Sequence, residues 1–133
     1  MPTLLMFVDG RVTNLTGYPE VLQPLEMAVC QATARSFNLP GGIKDVGLLR
    51  LQFSGGVNCP NIMFLGFASK PLTVKNPQGL IETWERDVTA ALVATQGLDQ
   101  CKDFFQSLWR IEFQAQVGAG SWAELVLGRG RPA

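Results

Sequence analysis

Trp109-Arg110-Ile111-Glu112-Phe113-Gln114-Ala115-Gln116-Val117 is the stretch that decides the fold class. Every odd position is apolar and every even one polar. That period of two belongs to a strand with one face on a core and the other wet. Gly118-Ala119-Gly120 follows as a turn, and Trp122 to Leu127 returns as the second arm of a hairpin. A chain that ends on a hairpin has a sheet, and the rest of the sequence supplies its other strands and their cover.

Working backwards, Ile62 to Ala68 is a continuous apolar run of strand length, covered on both faces or nearly so. Val46 to Phe53 alternates, with Leu49, Leu51 and Phe53 on one face and Arg50 and Gln52 on the other, and reads as a half-buried strand. The loop between them, Ser54 to Asn61, holds Gly55-Gly56 and Cys59-Pro60, and the two strands are expected to pair antiparallel. At the start, Leu4 to Val8 runs into Asp9-Gly10, a dipeptide suited to a two-residue turn, so Arg11 to Leu15 is expected as a return strand.

Helices fill the gaps. One is expected from Pro19 or Pro24, where a missing N–H does no harm in a first turn, with Val21, Leu25, Ala28, Val29 and Ala32 on one face and an end at Leu39-Pro40-Gly41-Gly42. In a second, Asn76 is the N-cap and Pro77 the first residue. Leu80, Ile81, Trp84, Val88, Ala91 and Leu92 make its stripe, Glu82 and Arg86 stand on its wet side, and it stops near Gly97. A short helix from about Asp99 carries Phe104, Phe105 and Leu108. The fold class is therefore α+β: a mixed, mostly antiparallel sheet of about six strands with two or three helices packed on it. Residues 1–128 form one domain, and 129–133 form a tail.

At 133 residues with 47% hydrophobic and 17% charged side chains, there is ample core material and little charge to cover the outside, which points to an apolar contact with a partner. Eleven basic residues balance eleven acidic ones without runs, so neither nucleic acid nor an anionic membrane is the partner. Met1 to Val8 lacks the basic start and cleavage site of a signal peptide, and no stretch approaches the roughly 20 apolar residues of a membrane span. Asn14-Leu15-Thr16 is then an incidental sequon. Cys30, Cys59 and Cys101, odd in number and far apart, read as three free thiols in a reducing, cytoplasmic compartment.

Histidine is absent. Ser-His and Cys-His pairs are therefore impossible, common catalytic zinc sites lose their usual ligand, and a base working near neutral pH is left to a perturbed carboxylate, lysine or cysteine. Cys59, before Pro60 in a glycine-rich loop, is the cysteine placed to react, whereas Cys30 and Cys101 sit with apolar neighbours and read as packing. Glu82, Glu85 and Asp87 spread around a helix as a solvated face. Gly41-Gly42 and Gly55-Gly56 lack the surroundings of a phosphate-binding loop, and Arg129-Gly130-Arg131 is too short to hold nucleic acid. No catalytic, cofactor-binding or metal-binding residue is assigned. Trp122 and Val126 point away from Ala123, Leu125 and Leu127, either under a helix or outward; outward, with the Phe104-Phe105 turn, they make an interface.

The opening Leu4-Leu5-Met6-Phe7-Val8-Asp9-Gly10, the Tyr18-Pro19 and Leu22-Gln23-Pro24-Leu25 entry to the first helix, and the terminal hairpin together resemble the small carbon-dioxide-uptake subunits, CupS, of the cyanobacterial NDH complex. The resemblance implies a fasciclin-like fold and an accessory protein docked on the cytoplasmic side of a thylakoid complex, with catalysis in a neighbouring subunit. The expected function is thus a non-catalytic accessory subunit or adaptor, not an enzyme, held to a larger complex by Trp122, Val126, Phe104 and Phe105. The alternative is a small-molecule-binding regulatory domain with its ligand near Gly55 to Asn61, and a third reading is an enzyme built on Cys59.

Overall fold

The computed structural model describes residues 2–68, 76–108 and 110–117, and the backbone of 121–127. Five strands among them, β1 (Thr3–Asp9), β2 (Gly47–Phe53), β3 (Ile62–Ala68), β4 (Ile111–Val117) and β5 (Ser121–Leu127), form one sheet in the order β2-β1-β3-β4-β5. Three α-helices accompany them: α1 (Tyr18–Ser36), α2 (Pro77–Gln96) and the short α3 (Lys102–Ser107). The chain is α+β as expected, with fewer strands than six. Trp109 and the tail at 129–133 lie outside the described residues.

The missing strand is the return arm after Asp9-Gly10. Gly10–Asn14 instead forms a 3-10 turn, because the Asp9 side chain accepts from the backbone N–H of Arg11 and caps a helical turn. Freed of a hairpin partner, β1 runs between β2, which it pairs in parallel, and β3, which it pairs antiparallel. The antiparallel pairing expected between β2 and β3 does not occur, since β1 separates them. β3 and β4 are parallel and β4 and β5 antiparallel, so the sheet is evenly mixed. Two β-α-β units, β1-α1-β2 and β3-α2-β4, are joined through the β1/β3 ladder, and each helix serves as the crossover that a parallel pair requires.

Both long helices cover the same side of the sheet. Leu4, Met6 and Val8 of β1, Ile62 and Phe64 of β3, and Ile111, Phe113, Ala115 and Val117 of β4 turn towards Val21, Leu25, Val29, Ile81, Trp84, Val88 and Leu92, and all are buried. The α2 cap is as read: Asn76 Oδ1 accepts from the Gly79 N–H at 3.0 Å, with Pro77 next. Pro24 lies inside α1, which begins at Tyr18 behind a left-handed Gly17 with φ 83.

Trp84 is the keystone of this layer. Its ring meets Phe37 at 4.8 Å and Phe113 at 5.6 Å, both edge-on, and its indole N–H donates to the Thr33 hydroxyl at 2.9 Å. Room for the ring comes from Gly66, where a Cβ would stand 2.5 Å from Trp84 Cη2. Since the ring is held on three sides, Gly66→Ala is expected to cost about 1–3 kcal/mol by overpacking, seen as a lower urea midpoint with an unchanged slope.

The other side of the sheet has no helix among the described residues. Leu5, Phe7, Leu49, Leu51, Phe53, Met63, Leu65 and Phe67 occupy it; Leu49 is 54% and Phe67 44% exposed, and the others are half-buried. The apolar face of β2, expected to point into the core, is therefore the one that points away from it. Arg50 and Gln52 are on the helix-bearing side instead, where Arg50 reaches Glu26 of α1.

Candidate active site

Each end of the sheet carries one concentration of polar or unusual chemistry. At one end, Asp9 closes β1 and is 1% exposed. It accepts from the Arg11 backbone N–H at 3.1 Å, from Arg11 Nε at 3.0 Å and from a terminal nitrogen of the same guanidinium. Burial pushes the Asp9 carboxyl up. The Arg11 side-chain and backbone hydrogen bonds, the Arg11 charge and the Gly55 N–H more than offset this and hold the carboxyl below its ordinary value.

Asn61 extends this knot across the sheet. The Asp9 N–H donates to its carbonyl at 3.0 Å, its own N–H donates to the Arg110 carbonyl at 2.8 Å, and its Oδ1 accepts from the Arg110 N–H at 2.9 Å. Gly55 sits where a Cβ would be 2.8 Å from both Asp9 and the Cys59 side chain. The chemistry of this end is that of a latch tying the 54–61 loop to the ends of β1, β3 and β4.

The latch predicts acid sensitivity. Because the folded Asp9 is a stronger acid than the unfolded one, its stabilisation is complete above the unfolded value near pH 4 and is lost as pH falls through the lower folded value. Asp9→Asn is expected to cost about 1–2 kcal/mol at pH 7, a figure reduced by the half-exposed Arg11, and to flatten the fall in stability between neutral and acid pH. Urea unfolding of both proteins at several pH values checks it.

The remaining sequence candidates do not come together. The Cys59 thiol is half-exposed and within electrostatic reach of Arg11, a neighbour that lies far away in sequence. Burial, helped by Glu26, pushes the Cys30 thiol up to about 11, and burial raises that of Cys101, so both are inert. Asp87 takes the Ser36 hydroxyl at 2.8 Å, bridging α2 to α1. No group of three acidic or cysteine side chains among the described residues could hold a metal. Phe104 is 1% exposed and stacks against Tyr18, so its ring is spent within the chain, while Phe105 is half-buried. The side chains of Trp122 and Val126 lie outside the described residues; their backbones pair with Gln116 and Glu112.

At the opposite end stands Pro2, which side-chain reasoning passed over. It is buried, it immediately precedes β1, and its carbonyl accepts from the Gly47 N–H at 3.2 Å as β2 begins. The Thr3–Phe67 pair places it beside Ala68 at the end of β3. α1 ends and α2 begins at this end of the sheet, so the negative end of the α1 dipole and the positive end of the α2 dipole both lie here. Val46, Gly47, Ala68 and Val117, the described strand ends around it, carry no charge.

No family model and no curated protein sequence matches the chain. Solved structures do. Malonate semialdehyde decarboxylase, studied as wild type, as inactivated enzyme and as a mutant with its first-position proline replaced by alanine, superposes with a TM-score of 0.56 at 16% identity, over 97% of this chain and 92% of that one. The two chains share a fold. Pt0534, inactivated by 2-oxo-3-pentynoate, gives a TM-score of 0.53 at 15% identity over 89% of this chain and 88% of that one. A fused 4-oxalocrotonate tautomerase, an asymmetric trimer, gives 0.50 at 12% over 90% and 86%.

This shared fold corrects the expectations drawn from resemblance. The chain is not fasciclin-like, and the reading as a CupS-type accessory subunit of a thylakoid NDH complex falls with that fold. The non-enzyme reading and its regulatory-domain alternative fail against neighbours that are enzymes, and the larger complex as partner fails against a neighbour that is a trimer. No helix of the described residues is long and apolar enough to cross a membrane.

Proposed function

We propose that the chain is an enzyme of the tautomerase type whose reactive group is the amino terminus of Pro2, exposed by removal of Met1. The observation that carries this is the place of Pro2: it is buried at the mouth of β1, in the fold of an enzyme whose own first-position proline was a target of mutation. A free α-amino group titrates at about 7.7–8.0, and apolar surroundings disfavour its charged form. A base that works at neutral pH is thereby available without histidine.

The chemistry follows from that nitrogen. It takes a proton from the carbon beside a substrate carbonyl and returns it to another atom of the resulting enol, leaving the enzyme unchanged. A 2-oxo acid, which exchanges with its enol by such a transfer and is the class of inactivator that acts on Pt0534, fits this chemistry. Intact-mass measurement and a tautomerisation assay with an enol of a 2-oxo acid test the reading together: a chain retaining Met1, or one lacking it but without turnover, defeats it.

The open apolar side of the sheet supports assembly of the chain with itself. Leu5, Phe7, Leu49, Met63, Leu65 and Phe67 are too contiguous for a lone protein in water, and the fused tautomerase neighbour is a trimer. Trp122 and Val126, in register with Gln116 and Glu112 of that side, are proposed to continue the contact on β5, whereas Phe105 packs against the core on the other side. Sedimentation is expected to give a trimer, and Leu65→Glu, in the middle of the face, to give monomers at the same concentration. Three free thiols support a cytoplasmic setting, and the shared core from β1 to β4 supports a single domain over 1–128.

A further inference from the structure

A cleft of about 210 Å³ opens on the helix-bearing side of the sheet, at the end away from Pro2, lined by Val8, Thr13, Tyr18, Arg50, Leu51 and Gln52. Its chemistry is lopsided. Val8 supplies an apolar floor beside the main chain of Leu51, whose side chain faces the other side of the sheet, while the donors at the rim are not used up by the protein. Arg50 spends Nε and one terminal nitrogen on Glu26, at 3.0 and 2.7 Å, which leaves the other terminal nitrogen without a partner among the described residues. The Tyr18 hydroxyl and the Gln52 amide likewise make no hydrogen bond to the described residues, although Tyr18 is half-buried. Only the Thr13 hydroxyl is committed, donating to the Gly10 carbonyl at 2.7 Å.

Three uncommitted donors around one hollow call for a ligand rich in acceptors. Glu26 already offsets the Arg50 charge, so a second or third negative charge on the ligand would meet repulsion. One carboxylate is the match. The volume lies below the roughly 300–1,000 Å³ of sites for drug-sized ligands, and it suits a body of about ten heavy atoms. We propose that this cleft is a second binding site, for a small monocarboxylate with a flat apolar body. The carboxylate meets Tyr18, Gln52 and the free nitrogen of Arg50, and the body lies on Val8 and the main chain of Leu51. The site is independent of Pro2.

Benzoate is the probe, and amide NMR of the intact protein is the readout, with sodium chloride as the ionic-strength control. Saturable shifts are expected at Thr13, Tyr18 and residues 50–52, unchanged in Pro2→Ala. Tyr18→Phe and Gln52→Leu, each with the rest of the spectrum intact, are expected to weaken binding by about tenfold, the worth of a hydrogen bond to a charged group. Benzamide is expected to bind at least as much more weakly than benzoate. Absence of saturable shifts, benzamide binding equal to benzoate, or shifts centred on Gly47 and lost in Pro2→Ala would each overturn the proposal; the last outcome would leave the Pro2 reading standing.

Discussion

Replacing Pro2 by alanine is expected to lower kcat/KM for tautomerisation by about 10²–10⁴, the usual contribution of a positioned general base, while leaving the fold intact. The fold survives because Pro2 contributes a carbonyl to the Gly47 N–H, and alanine supplies the same carbonyl. What alanine alters is the amine: a primary nitrogen on a rotatable backbone replaces a secondary one fixed in a ring. An unchanged rate would mean that the reacting base lies elsewhere. The pH profile separates the two cases further, since activity carried by the neutral amine rises as pH passes its pKa and is lost below it.

Trp84→Ala is expected to cost about 3–5 kcal/mol and to lower Tm by about 10–20 °C, as measured by calorimetry. The indole is fully buried, and its removal strips edge-on partners from Phe37 and Phe113. The void would open between α1, α2 and the sheet, over Gly66, which has no side chain to refill it. Trp84→Phe separates volume from polarity. It keeps most of the ring and loses the N–H bond to Thr33, whose hydroxyl still donates to the Val29 carbonyl, so a loss of about 1 kcal/mol is expected.

Several local signals in the sequence translate directly into structure, and the long-range pairings do not follow from them. β3 has the bounds read from its apolar run, Asn76 and Pro77 start α2 as their chemistry demands, and Ile111 to Val117 bury the alternate residues that the period of two selects. Each of those features is decided within a few residues. The partners of β1 are decided by crossovers dozens of residues long, and nothing in Leu4 to Val8 names β2 or β3 as its neighbour.

Asp9-Gly10 misleads for a definite reason: aspartate before glycine suits a tight hairpin, and aspartate also caps a helical turn when its oxygen meets the N–H two residues on. The face of β2 misleads because alternation shows that two faces differ without showing which one a helix covers. Leu49, Leu51 and Phe53 have the pattern of a core and the exposure of a contact surface.

The proposed reactive group is illegible in the sequence for a deeper reason. An inventory of side chains finds no histidine and leaves a neutral-pH base to a perturbed carboxylate, lysine or cysteine, whereas the proposed group is a backbone nitrogen that becomes an amine only on removal of Met1. Pro2 stands in no motif, and its neighbours Gly47 and Ala68 are brought to it by strand register. Position in the fold, not composition, marks it.

The most direct measurement is to incubate the protein with 2-oxo-3-pentynoate, which inactivates Pt0534, and to locate the label by peptide mass mapping. One inactivator bound at the Pro2 nitrogen is the expected result, through addition of the amine to the alkyne with its proton passing to the adjacent carbon. Label confined to the Cys59 thiol, or an unlabelled protein with Met1 removed, would contradict it.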